Sequence, residues 1–220
     1  MHPVHVLHIG KTGGTAVKHA LRPFADQGVF ILHKHPHRLR DCPPDDLVFF
    51  VVRHPVDRFV SGFNSRLRRG RPRYDVAWTW RERLAFAAFG SPNQLAEAIG
   101  SRNPVTRAAA RWAMRSIKHI GTPLSYWLDS VEYLTSRDRL IVGTVPTLGR
   151  DLADLLAVVG VTARADLPTD AVVAHATPPG MDVDLSARAR ANLAVWLADD
   201  IALYEWCVRA QATCRAPRDR

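Results

Sequence analysis

An α/β fold, with an open, mainly parallel sheet flanked by helices, is what this 220-residue sequence predicts. Three observations predict it. Short β-rich runs alternate with stretches of helical apolar spacing. The run Leu47-Val48-Phe49-Phe50-Val51-Val52 is apolar throughout, as a central parallel strand covered on both faces is. A glycine-rich turn, Gly10-Lys11-Thr12-Gly13-Gly14-Thr15, directly follows the first β-rich run.

In order, residues 4–9 read as the first strand, and Val17, Ala20, Leu21 and Phe24 recur at helical spacing behind the turn. Residues 28–32 read as a second strand, followed by a polar, histidine-rich loop over 33–46. After the apolar strand 47–52, Pro55 stands where a first helical turn tolerates a missing N–H. Val56, Phe59, Val60, Phe63 and Leu67 then make one apolar stripe. Residues 66–73 form a basic loop broken by Gly and Pro. Residues 78–134 read as helices punctuated by Ser91-Pro92, Asn103-Pro104 and Thr122-Pro123. A strand is expected at 140–142, a helix at 148–159, a Pro-marked loop, and one final helix over 185–208.

Hydrophobic residues make up 47% and charged residues 23%, which excludes a disordered chain, and the length suits one domain over 1–220. No apolar run approaches the ~18 residues of a membrane span. The N-terminus reads as a strand rather than a secretion signal. Cys42, Cys207 and Cys214 are too few and too scattered for a disulfide framework or a Cys-rich zinc site, so a cytoplasmic location is expected. The net charge of +9 implies an anionic partner, and arginine supplies most of it.

Two motifs carry chemistry. In the first, glycines let the backbone approach a ligand, the helix N-terminus offers unsatisfied N–H groups, and Lys11, Thr12 and Thr15 add a charge and two hydroxyls. Together with Gly13 and Gly14 these make a phosphate cradle. It departs from the nucleotide-triphosphatase loop, because His5 stands at the position of the leading glycine and the glycines follow the lysine. The second motif starts where the apolar strand ends, at Arg53-His54-Pro55, and reaches Ser61 on the polar side of the following helix with Asp57, Asn64 and Arg68. A guanidinium at the carboxyl edge of a sheet and a hydroxyl two turns on suit one phosphate.

These motifs resemble those of the sulfotransferases that use 3′-phosphoadenosine 5′-phosphosulfate (PAPS). His8-Ile9-Gly10-Lys11-Thr12-Gly13-Gly14-Thr15 is similar to the family's 5′-phosphosulfate loop, with Gly10 where the family usually has proline. Arg53-His54-Pro55 through Ser61 is similar to its 3′-phosphate motif. The branch most resembled is the carbohydrate group of heparan and uronyl 2-O-sulfotransferases. Residues 103–107, Val142-Gly143-Thr144, residues 152–156 and residues 200–204 follow in the family's order. The resemblance implies a P-loop-NTPase-like sulfotransferase fold in a small, soluble, bacterial-type member. It implies PAPS as donor, PAP as product and a hydroxyl acceptor such as a glycan. The membrane anchor of the family's Golgi members is not seen in this sequence, and no nucleic-acid partner is expected, because the aromatic residues are not interleaved with a basic stripe.

The same family places a His-X-His pair after its second strand, which His33 and His35 match. The resemblance makes His35 the base, His33 its partner, and Lys11 the stabiliser of the departing phosphate. His37 is the alternative base and, with Arg107, a candidate acceptor contact. His2, His5, His8 and His54 read as structural or peripheral. No metal is expected, because no cysteine or carboxylate completes an obvious ligand set beside His33 and His35. Arg58, Arg66, Arg68 and Arg69 are expected mostly to face water. Two other readings fit the same sequence: a small-molecule or nucleoside kinase with a degenerate loop, and a basic nucleic-acid-binding module.

Overall fold

The computed structural model of the chain describes residues 3–170, 178 and 180–215. The elements in order are β1 (Val4–Val6), α1 (Gly14–Ala25), β2 (Phe30–Leu32), β3 (Val48–Val52), α2 (Pro55–Leu67), α3 (Trp80–Ala88), α4 (Pro92–Ala98) and α5 (Pro104–Ser116). There follow α6 (Ser125–Leu128), α7 (Val131–Thr135), β4 (Leu140–Thr144), α8 (Leu148–Val158), α9 (Ala187–Trp196) and α10 (Ala198–Arg215). The chain forms two compact units: Met1–Arg53, Leu124–His175 and Ala202–Arg220 make the first, and His54–Pro123 with Ala176–Ile201 the second.

The first unit holds a four-stranded, all-parallel sheet in the order β2-β1-β3-β4, the α/β architecture that the alternating pattern predicts. β3 is buried along its whole length, which is why its sequence is apolar without alternation. Its side chains still divide by the period of two. Phe49 and Val51 pack with Val4, Val6, Leu21, Phe24 and Leu152 in one cluster. Val48, Phe50 and Val52 pack with Leu7, Ile9, Leu39, Cys42 and Trp127 in another. A carboxylate fastens the carboxyl end of β4: Asp151 accepts from the Thr144 amide and the Thr147 hydroxyl, both at 2.8 Å, and from Gln211 at 2.9 Å.

The second unit is helical. Ser91 and Asn103 are N-caps, each followed by proline at the first helical position, as those dipeptides foretell. Its core joins Phe59 and Phe63 of α2 to Phe86, Leu95, Met114 and Leu193. α2 is not half-solvated, as its polar residues suggest, since Ser61, Asn64 and Ser65 are buried and only Asp57 is exposed. Nor do Arg58 and Arg66 face water, each being 3% exposed. Arg58 lies 3.5 Å from Asp200 and donates to the Thr122 carbonyl at 2.6 Å. Arg66 grips both oxygens of Glu82 at 2.6 and 2.8 Å, and also donates to the carbonyls of Val76 and Ala77.

The single helix expected over 185–208 is two. Leu197 leaves helical geometry at φ −104°, ψ 20°, ending α9 with an N–H bond to Leu193. Asp199 and Asp200 then occupy the first turn of α10, where negative charge favours a helix N-terminus. The Pro-marked loop before α9 lies partly outside the described residues, as does His2, and the Cys214 side chain also falls outside them.

The Arg66–Glu82 pair yields a prediction. Burial raises the Glu82 pKa, but the Arg66 hydrogen bonds and the amides of Thr79 and Lys118 outweigh it and bring the carboxyl down to about 2. A depressed carboxylate stabilises the fold above its unfolded pKa of 4.5, and that contribution is lost as pH falls from there towards 2. Glu82→Gln leaves Arg66 buried without its counter-charge. It should cost ~3–5 kcal/mol in urea unfolding at pH 7 and flatten the loss of stability below pH 4.5.

Candidate functional site

In a parallel sheet all strands end at the same edge, so the segments after β1, β2 and β3 emerge together in the first unit. These segments carry Lys11, the histidines 33–37 and Arg53. β1 lies between β2 and β3, so the chain steps one way from β1 to β2 and back across β1 to reach β3. The crevice between the ends of β1 and β3 is the switch point at which open α/β sheets bind ligands.

The loop after β1 is a tight turn. Lys11 has φ 69° and Gly13 φ 81°, both left-handed, a conformation that is uncommon for a residue with a side chain such as Lys11. Gly13 is the N-cap of α1 and brings no side-chain cap, so the first N–H groups of α1 face the loop uncapped by it. Thr12 is buried and its hydroxyl donates to the Ile9 carbonyl at 3.1 Å, so this threonine shapes the loop. Thr15 is half-buried in the first turn of the helix. A Cβ at Gly14 would lie 2.3 Å from the His8 ring, so the glycine is needed for His8 to pack there.

The histidines divide between two clusters. His37 N–H bonds to the Lys34 carbonyl at 3.1 Å, a turn that folds His37 back over His33, and the two rings stack at 3.5 Å with 1° between their planes. His5 Nδ1 lies 2.8 Å from His33 Nε2, while His5 Nε2 donates to Asp46 at 3.1 Å. Cys42 Sγ lies 3.5 Å from His37 Nε2. His35, at the tip of the turn, is exposed and packs against His8 with ring centroids 3.8 Å apart. Trp127 holds the turn by donating to the His35 carbonyl at 2.7 Å.

His33 is therefore paired with His5 and His37 rather than with His35. His5 and His8, read from sequence as structural or peripheral, sit in the two clusters. Strand register accounts for the place of His5. The strands pair His5 with Ile31, and alternation carries the same face from Ile31 to His33. The sequence shows no cysteine or carboxylate that completes an obvious ligand set beside His33 and His35; in the structure Cys42 lies beside His37, and Asp46 beside His5.

Burial, then the nearby His35 and Lys18, hold the His8 pKa down to about 3. Burial, then His37, His5 and Lys18, hold His33 to about 4. Burial pushes the Cys42 thiol up to about 11, against the pull of Arg137. Arg53 is half-buried at the end of β3. Ser61 and Arg107 belong to the second unit, where Ser61 is buried in α2 and Arg107 donates to the Ser101 carbonyl at 3.2 Å. A cavity of about 340 Å³ opens along β4 and α8, lined by Ile141, Arg150, Asp154 and Val158, and holds none of these residues.

No helix among the described residues is long and apolar enough to cross a membrane. No protein-family model, curated protein or solved structure matches the chain.

With a folded pKa of about 3, His8 stays neutral while an unfolded histidine protonates near 6.5. The unfolded chain then binds more protons between these values, so this site costs stability as pH falls from 6.5 towards 3. An imidazole NMR titration should show no inflection for His8 near pH 6.5. Gly14→Ala, by expelling His8, should restore that inflection and cost ~1–3 kcal/mol in thermal unfolding.

Proposed function

We propose that this chain transfers a sulfuryl group from PAPS to an acceptor hydroxyl on a carbohydrate or a glycosylated small molecule. The observation that carries this reading is the shared carboxyl edge in the first unit, where β1 delivers the Lys11 turn and the neighbouring β3 delivers Arg53. In this reading the amides of the turn at the start of α1 receive the 5′-phosphosulfate, and Arg53 receives the 3′-phosphate. In this reading the α/β fold is that of a P-loop-like sulfotransferase.

The acceptor oxygen attacks sulfur in line, the bond from sulfur to the bridging phosphate oxygen breaks, and the acceptor proton passes to a base. Lys11 stabilises the charge that builds on the departing phosphate. His35 is the base in this reading, because it is exposed and rests on His8, which itself packs against Gly14. His33 is turned away into the other cluster. A kinase reading is less favoured, because the strand beside the cradle ends in Arg53 where an acidic residue would help hold magnesium.

Calorimetry with PAP, adenosine 5′-phosphate and Mg·ATP tests the donor site. PAP should bind with a preference for its 3′-phosphate, and Lys11→Ala and Arg53→Ala should each weaken it ~10–100-fold, the scale of one charged hydrogen bond. Ser61→Ala, measured alongside, tests the second ligand that the resemblance assigns to the 3′-phosphate. Mg·ATP binding without a 3′-phosphate preference would replace this reading with phosphoryl transfer. Steeply salt-dependent polynucleotide binding would replace it with a nucleic-acid module. Once an acceptor is found, His35→Ala should keep its PAP affinity and lose ~10²–10⁴ in kcat.

A further inference from the structure

We infer that His5, His33, His37 and Cys42 form a closed site for one divalent transition-metal ion of the zinc class, which ties the histidine turn to the first strand. One ligand atom from each residue lies within 4.8 Å of all the others. The four come from separate places in the first unit: β1, the two ends of the turn after β2, and the segment that leads to β3. Metal–nitrogen bonds of ~2.0–2.1 Å and a metal–sulfur bond of ~2.3 Å place tetrahedral ligand atoms about 3.3–3.6 Å apart. The Cys42–His37 separation of 3.5 Å matches this; His5 and His33 at 2.8 Å must open, and the His33 and His37 rings, stacked 1° from parallel, must turn so that one ion lies in the plane of both.

The donor set and its surroundings agree with zinc-class chemistry. Imidazoles with a thiolate suit such ions, and His33-x3-His37 has the ligand spacing common in zinc sites. His5 donates Nε2–H to Asp46, which leaves the Nδ1 lone pair directed at the cluster. A carboxylate behind a ligating histidine in this way fixes its tautomer and raises its basicity. His33 Nε2–H donates to His5 Nδ1 in the metal-free site; on binding its proton moves to Nδ1 by exchange with solvent and Nε2 ligates, and Cys42 releases its thiol proton to solvent as the metal–sulfur bond forms.

Four protein ligands leave no open position, so the ion is structural and takes no part in group transfer. It fastens both ends of the turn 33–37 and leaves His35 outside the ligand set, at the tip. The inference stands apart from the sulfuryl-transfer reading, and metal binding and PAP binding can succeed or fail separately.

The test uses the full chain without a histidine tag, reduced and stripped of metal, then titrated with Co²⁺ and competed with Zn²⁺. One cobalt per chain should bind, with ligand-field bands of tetrahedral intensity and a thiolate-to-cobalt charge-transfer band in the near ultraviolet. Cys42→Ser should abolish that band, and Asp46→Asn should keep it while weakening affinity by ~10–100-fold. His35→Ala and the exposed His19→Ala should change neither. If Cys42→Ser fails to fold, His37→Gln serves instead and should lose the tetrahedral spectrum. Absence of a stoichiometric tetrahedral site, a charge-transfer band that survives Cys42→Ser, or loss of binding in His35→Ala would overturn the assignment.

Discussion

Parallel pairing of β1 between β2 and β3 is the constraint on which the first unit depends. A parallel ladder sends every strand end to one edge, so the Lys11 turn, the histidine turn and Arg53 emerge there with no further device. The same ladder, read with its period of two, places His5 and His33 on one face. β3 secures the arrangement. Five consecutive apolar residues anchor both clusters around the sheet, and side chains from α1 and α8 enter one of those clusters.

Burial of charge matters as much in the second unit. Arg58 and Arg66, which look in sequence like part of a basic surface, are spent on Asp200, Glu82 and carbonyl groups. A buried ion pair of this kind is weak support for stability as a pair, but removing one partner strands the other. The net charge of +9 is unchanged by these two pairs, but a count of arginines along α2 is a poor guide to a binding face, because Arg58 and Arg66 lie inside.

The histidine segment shows how a short turn assigns roles. Residues 33, 35 and 37 would point the same way in an extended strand. The bond from His37 N–H to the Lys34 carbonyl closes a turn instead, returning His37 to His33 and sending His35 to His8. One segment thereby serves two clusters: one of four convergent donor atoms backed by Asp46, the other against the glycine turn.

The elements and their order were legible in the sequence, because they rest on local physics: the apolar run of β3, Pro55 at the start of α2, and the Asn103-Pro104 cap of α5. So was the meeting of the Lys11 turn and Arg53 at one edge, since parallel topology alone requires it. The break at Leu197 was not legible, because residues 185–208 keep a helical pattern across it. Nor were the partners of His5, His8 and Cys42. Their meeting depends on which strands pair and on how a turn closes between residues as far as 41 positions apart. The sequence by itself determined the elements and put Lys11 and Arg53 just beyond the ends of two strands. Tertiary structure decided which side chains stand together, because hydrogen-bond register and burial, not proximity along the chain, set those distances.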